Sequence, residues 1–320
     1  MTDEEAKKIL ERWKELAPVM MADRECERME FESELLNRWK KPLELLDILL
    51  GVSAELGETF DRQFRDAAAA SNDRVFIVLK FIHGRLCKVA GEIRLLLRLG
   101  YADGAMARWR TAYELAAIAF FVKKHGQDVA ERYIAYQGIE AWKIVENYLK
   151  SRGPDEDEFS EEDLQEAVKK RDRLCDIYGK EFAKPYGWAA KALKRKDVSF
   201  RDIEKESGIS HLRPYYKTAS HHVHAGVQGD RFSLGNPEGE SREFLVAGPS
   251  IYGLADSGQD LAISVYQTCT CLLATRPTSE YLAVHDAMHL LLDETKDAFI
   301  EVHRDLEKSW SVRKSERTKG

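Results

Sequence analysis

Three of the chain's nine histidines fall within four residues, in Ser220-His221-His222-Val223-His224. Neutral imidazole exchanges protons near neutral pH and can ligate a metal, so acid–base chemistry is sought here first. On a helix His221 and His224 lie near one another at i and i+3, with Ser220 four positions before His224 on that same face, whereas His222 points elsewhere. The second cluster is ARWRTAYELAAIAFF, where Arg110 and Glu114 stand one turn apart among small and apolar neighbours. Exposed, such a pair contributes about 0.3–0.5 kcal/mol. Buried beside the histidine segment, it becomes an anion site or a brace for His224.

Plainer readings stand beside these. His224 can end its helix by facing the last carbonyls before Ala225-Gly226, leaving His221 and His222 as a solvated pair. His83 falls on the apolar face of its helix and reads as a satisfied core residue. No His-Glu-x-x-His or paired Cys-x-x-Cys supplies metal-ligand spacing, and a site at His221 and His224 would need distant carboxylates such as Glu114; no metal and no cofactor is expected. Glycine-rich phosphate loops and Gly-x-Ser-x-Gly are absent too. Residues 199–219 have the outline of a helix-turn-helix, but mixed flanking charge and Pro214 in the second helix weigh against DNA reading.

The elements that must position these residues are helices. Only eight prolines interrupt apolar spacings of three and four, which predicts a mainly α helical bundle. The pattern places helices over 3–20 and 25–50, the latter with a stripe of Phe31, Leu35, Trp39, Leu43, Leu46 and Leu50 and a break or kink at Pro42. Asn72-Asp73 caps a helix running to Leu99, where Gly100 stops it. Asp103 caps the next, to Lys124, and another covers 128–150. Ser160 with Asp163 starts a helix to Phe182, and shorter ones cover 187–195, 199–207 and 212–225. A small β-hairpin is expected near residues 231–247, then helices over 257–275 and 279–309 and a frayed basic tail. The implied regions are an N-terminal helical part (1–57), a first core part (58–152), an acidic loop (153–163), a second core part with the histidines and hairpin (164–275), and a C-terminal helix with its tail (276–320).

Hydrophobic residues make up 44% and charged residues 32% of the 320, enough to build a core under a charged surface. The net charge of −6 argues against a chain whose whole surface wraps nucleic acid. Five scattered cysteines suggest reduced thiols and a cytoplasmic setting. The charged, amphipathic opening shows no signal peptide, and the longest nearly apolar run, Leu115 to Val122, is too short for a membrane span.

Arg110-x-x-x-Glu114, Tyr215 to Ser220 leading into Val223-His224, and Val246-Ala247-Gly248-Pro249 together resemble the bacterial domain of unknown function 5677, over roughly residues 60–275. That family carries no assigned activity. More distantly, a helical bundle with a polar-x-x-x-His motif is similar to the HEPN domains of toxins and antiviral defence proteins, many of which dimerise and cut RNA with an arginine and a histidine. The chain departs from their spacing, because Arg213 precedes His221 by eight positions and His224 by eleven, while Ser220 stands four before His224. The likeness implies an RNA-directed effector of bacterial defence, a metal-independent ribonuclease with RNA and a second copy of itself as partners. In it His224 would be the general acid or base, Arg110 would stabilise charge on phosphate, and Glu114, Ser220 and His221 would support them. The alternative is a non-catalytic helical interaction or dimerisation module in which the same residues form a buried polar network. An enzyme needs Arg110, Glu114 and His224 convergent on an open cleft, whereas a sealed network favours the module.

Overall fold

Long amphipathic segments bury their apolar faces by packing helix on helix. The computed structural model describes residues 3–151, 160–224, 233–237 and 247–317. Among these residues every regular element is helical and no strand occurs. The principal helices are α1 (Asp3–Ala70), α2 (Arg74–Arg98), α3 (Ala102–His125), α4 (Gln127–Ala135), α5 (Gln137–Ser151), α6 (Glu161–Tyr178), α7 (Ala190–Leu193), α8 (Phe200–Ser207), α9 (Arg213–His221), α10 (Leu254–Leu273) and α11 (Ser279–Arg317). None of the described helices is long and apolar enough to cross a membrane.

α1 is a single helix of 68 residues where two were expected, with Pro18 and Pro42 inside it. A proline within a helix costs about 3 kcal/mol by removing one backbone bond and crowding the preceding turn. Around Pro42 the burial of Leu35, Trp39, Leu43, Leu46 and Leu49 outweighs that penalty and carries the helix through. α2 begins as its cap predicts: the Asp73 carboxylate accepts from Phe76 N–H at 2.9 Å, and it also receives Arg276 Nη2 at 2.6 Å. Gly100, at φ 79°, turns the chain into α3.

α3 is buried on almost every side, and its alanines 105, 112, 116, 117 and 119 let neighbouring helices approach closely. α10 runs beside it in the same direction: Ser250 N–H bonds to Gly100 O at 2.9 Å, and more than two turns further on Trp109 Nε1–H donates to Asp260 O at 2.9 Å and Ser264 Oγ at 3.0 Å. α11 runs antiparallel to α1, with Trp39 against Phe299 at one end and Phe60 against Tyr281 at the other. α8 and α9 cover the remaining face of α3.

Asp103 lies in the first turn of α3 rather than at its cap, which is Tyr101. Its carboxylate turns outward to accept Leu234 N–H at 2.7 Å and Ser233 Oγ–H at 2.8 Å. The β-hairpin expected near 231–247 lies mostly outside the described residues, and its described part, 233–237, forms a turn whose Leu234 N–H is taken by this side chain instead of a strand partner. The expected 128–150 helix divides at Tyr136 into α4 and α5. The Ser160–Asp163 capping box opens α6, which stops at Tyr178 because Gly179 adopts φ 93°. Of the expected acidic loop, residues 153–159 lie outside those described. The terminal helix continues past the expected end to Arg317.

His83 sits where α1, α2 and α10 meet, buried as its apolar position implies. Its Nε2 is 3.1 Å from Ser53 Oγ and 3.5 Å from Cys269 Sγ, while Cys87 Sγ is 3.8 Å from Nδ1. Burial holds the imidazole down at about 4 from its ordinary 6.5, so the fold keeps it neutral. Because the unfolded chain binds the extra proton first, this site's stabilisation is complete above about pH 6.5 and is lost as pH falls towards 4, by about 3 kcal/mol in all. Replacing His83→Gln should therefore shrink the wild type's advantage in urea unfolding as the buffer moves from about pH 7 to about pH 4.5. A difference that stays constant with pH would refute the assignment.

Candidate functional site

The Arg110 and Glu114 side chains leave α3 one turn apart on the face covered by α9. Pro214 at the start of α9 fixes that helix's first turn and brings Tyr216 over the pair. The Tyr216 hydroxyl accepts from Arg110 Nη2–H at 2.8 Å and donates to Glu114 Oε1 at 2.6 Å. Arg110 and Glu114 themselves are 3.8 Å apart, and the guanidinium lies 4.6 Å from the Tyr216 ring centroid. Burial first, and then the bond to Glu114, push the phenol up to about 12, so it remains a proton donor to the carboxylate. The Arg110 side chain keeps only 19% of its surface exposed and Glu114 35%.

Directly behind lies a second network that the sequence spacing concealed. Tyr113 packs 5.3 Å from the Tyr216 ring and donates its hydroxyl to Glu204 Oε1 at 2.6 Å. Glu204, wholly buried, is neutralised through its other oxygen by Arg213. Burial and the neighbouring carboxylate hold the Tyr113 phenol above its usual range. Phe200 lies 5.3 Å from Tyr216 and 6.1 Å from Tyr113, closing the space between the two systems with an aromatic ring.

The histidine segment divides differently from its expected arrangement. His221 and His224 are exposed. Ser220 Oγ–H donates to Tyr216 O at 3.0 Å, so its hydroxyl is turned back onto its own helix. Among the described residues no hydrogen bond or ion pair joins either exposed imidazole to Arg110 or Glu114. His222, expected to be solvated, is the buried one: its side chain is 3% exposed and its Nδ1 lies 3.5 Å from Asp103 Oδ1. Burial lowers its proton affinity, with His221 adding to that effect and Asp103 opposing it.

The structure thus joins Arg110 to Glu114 and places Ser220 on the helix of their shared partner, but it points His221 and His224 towards solvent. Tyr216, Tyr113, Glu204, Arg213, Asp103 and His222 were missed. The spacing of Leu212, Tyr216 and Ala219 marks the inner face of α9 and was the available signal for Tyr216. Nothing local marks Glu204, whose partners lie on α3 and α9.

Both networks should be structural. Tyr216→Phe removes the hydroxyl shared by Arg110 and Glu114 and is expected to cost about 1–2 kcal/mol. Arg213→Ala strands the buried Glu204 carboxylate and should cost about 3 kcal/mol. Chemical denaturation measures both, and an Arg213→Ala protein as stable as wild type would contradict the burial of a charged Glu204.

The family model described as Family of unknown function (DUF5677) matches residues 76–241. No curated protein and no solved structure matches the chain. The matched stretch holds α3, α8 and α9 with both polar networks and the histidine segment, and the chain belongs to this family.

Proposed function

We propose that the chain is a non-catalytic helical interaction module that pairs with a second copy of itself through the first third of α1. The observation that carries this reading is an exposed apolar stripe. α1 buries no residue before Leu35, so about 30 residues, roughly 45 Å of helix, lie outside the core. On that arm Ala6, Ile9, Trp13, Leu16 and Met20 alternate spacings of three and four, the seam of a two-helix coiled coil. Trp13 is 64% exposed, and Ile9, Leu16 and Met20 are exposed as well. An apolar stripe of this length favours a partner over water.

A like partner is supported by charge. Over residues 3–22 five carboxylates (Asp3, Glu4, Glu5, Glu11, Glu15) face four cations (Lys7, Lys8, Arg12, Lys14), a net of −1, so two arms barely repel. Several of these charges are satisfied within the helix, as Lys7–Asp3 at 3.1 Å and Lys14–Glu11 at 2.9 Å. In this reading Arg110, Glu114 and Tyr216 fix how α9 packs on α3, which suits a scaffold better than a reaction centre.

The RNA-directed reading keeps one supporting observation: His221 and His224 are exposed on the same stretch, and Lys217 is exposed one turn earlier. It requires Arg110 to exchange Tyr216 and Glu114 for phosphate.

Two measurements separate the readings. Light scattering on the eluting protein should give twice the monomer mass, and Trp13→Glu with Leu16→Glu should return it to monomer without loss of helical signal. A monomeric wild type across the usable concentration range would overturn the pairing. Incubation of wild type and His224→Ala with total cellular RNA, with and without chelator, should show no cleavage by either; chelator-insensitive cleavage by wild type alone would establish the ribonuclease instead.

A further inference from the structure

Two histidines outside both networks stand one turn apart on the exposed side of α11, in His285-Asp286-Ala287-Met288-His289. Met288 points into the core and anchors this turn. Residues at i and i+4 on a helix have Cβ atoms about 6 Å apart, a span that two imidazoles bridge with a single ion. Across the interface Tyr266 of α10 lies between them, its ring centroid 5.2 Å from His285 and 5.4 Å from His289.

Each ring already has the environment of a ligand. His285 Nδ1 is 3.1 Å from Asp286 Oδ1, and Nε2 is 2.7 Å from the Tyr266 hydroxyl. A proton on Nδ1, held by the carboxylate, leaves the Nε2 lone pair facing Tyr266, where it accepts from the phenol O–H. This carboxylate–imidazole order is the one that orients metal-bound histidines. His289 Nε2 has Asp293 Oδ2 at 3.8 Å, a carboxylate that Lys296 Nζ also meets at 3.1 Å, so Asp286 supplies most of the negative charge beside the pair. Among the described residues no three His, Cys, Asp or Glu side chains converge on one point. A site here therefore rests on two imidazoles, with the Tyr266 oxygen or water completing the shell.

We propose that His285 and His289 bind one divalent transition-metal ion of the zinc and nickel class against Tyr266 at the α10–α11 interface. Imidazole selects such borderline ions, whereas magnesium and calcium favour all-oxygen shells. The ion replaces the Tyr266 O–H donor at His285 Nε2. If the phenol becomes the third ligand it does so as phenolate, releasing one proton to solvent. Because the ion sits on two imidazoles one turn apart on α11 and against Tyr266 of α10, it binds the folded arrangement and raises its stability with ion concentration.

The test uses the full chain with Cys26→Ser, which removes the exposed competing thiol, stripped with chelator and then freed of it. Calorimetric titration with Zn²⁺ and with Ni²⁺ should show one ion per chain and a rise in melting temperature. His285→Ala and His289→Ala should each weaken binding by about tenfold or more, while melting without metal stays near wild type because both side chains are partly exposed. A His221→Ala, His224→Ala double variant should bind as wild type does. No binding by wild type, unchanged binding in either single variant, or binding lost only in the double variant would overturn the site.

Discussion

A helix enclosed by its neighbours cannot carry an uncompensated charge, and α3 is such a helix. Its small residues draw α2, α10, α8 and α9 close, and the same closeness takes most of the Arg110 side chain and part of Glu114 out of water. The arrangement of α9 follows from that constraint. Tyr216 is the group that can accept from the guanidinium and donate to the carboxylate at once, and α9 must lie where its hydroxyl reaches both. Glu204 obeys the same rule one layer further on, taking Tyr113 from α3 and Arg213 from the start of α9. The two short helices are therefore registered on α3 by polar bonds as well as by the apolar packing of Ile203, Leu212 and Ala219.

This explains which parts of the molecule were legible beforehand. α2 was readable from Asp73 to Leu99 because its apolar period, cap and stop agree with one another. At Pro42 the expected break is absent because proline is a local signal and the burial that overrides it comes from α2, α10 and α11, whereas the gap expected at 21–24 falls in the exposed arm, where burial does not account for the continuous helix. The hairpin was expected from turn-forming residues, while the Asp103 side chain that captures Leu234 N–H is 131 positions away. His221 and His222 are neighbours in sequence with opposite surroundings, and the approach of Asp103 to His222 is not legible in the local sequence. Arg110 and Glu114 were found because their spacing is local; the tyrosine between them was missed because its role exists only across helices.

The same physics bears on what the polar networks can do. A catalytic arginine must meet negative charge as it develops, and preorganised but unspent hydrogen bonds are what make that favourable. Arg110 gives Nη2–H to a phenol that burial keeps protonated and has the Glu114 carboxylate 3.8 Å away, while its buried Nε has no hydrogen-bond partner among the described residues. Recruiting it to phosphate would expose Glu114 and Tyr216 to the loss, in a place where Phe200 and Tyr113 hold the surroundings rigid. His221 and His224 are exposed, unlike the partly buried Arg110 and Glu114.

The family match covers residues 76–241 and so omits α1, α10 and α11, yet the matched helices do not close their own core. Trp109 finds its acceptors on α10, and His83 shares its polar contacts with Ser53 of α1 and Cys269 of α10. Without those helices the apolar faces of α2 and α3 would stand in water together with an unpaired indole N–H and a buried imidazole. The physical unit is accordingly larger than the matched stretch. Within that unit the roles separate by position: α3, α8 and α9 hold the two polar networks, α2 and the inner parts of α1, α10 and α11 close the core, and the arm of α1 and the histidine pair of α11 lie outside both networks.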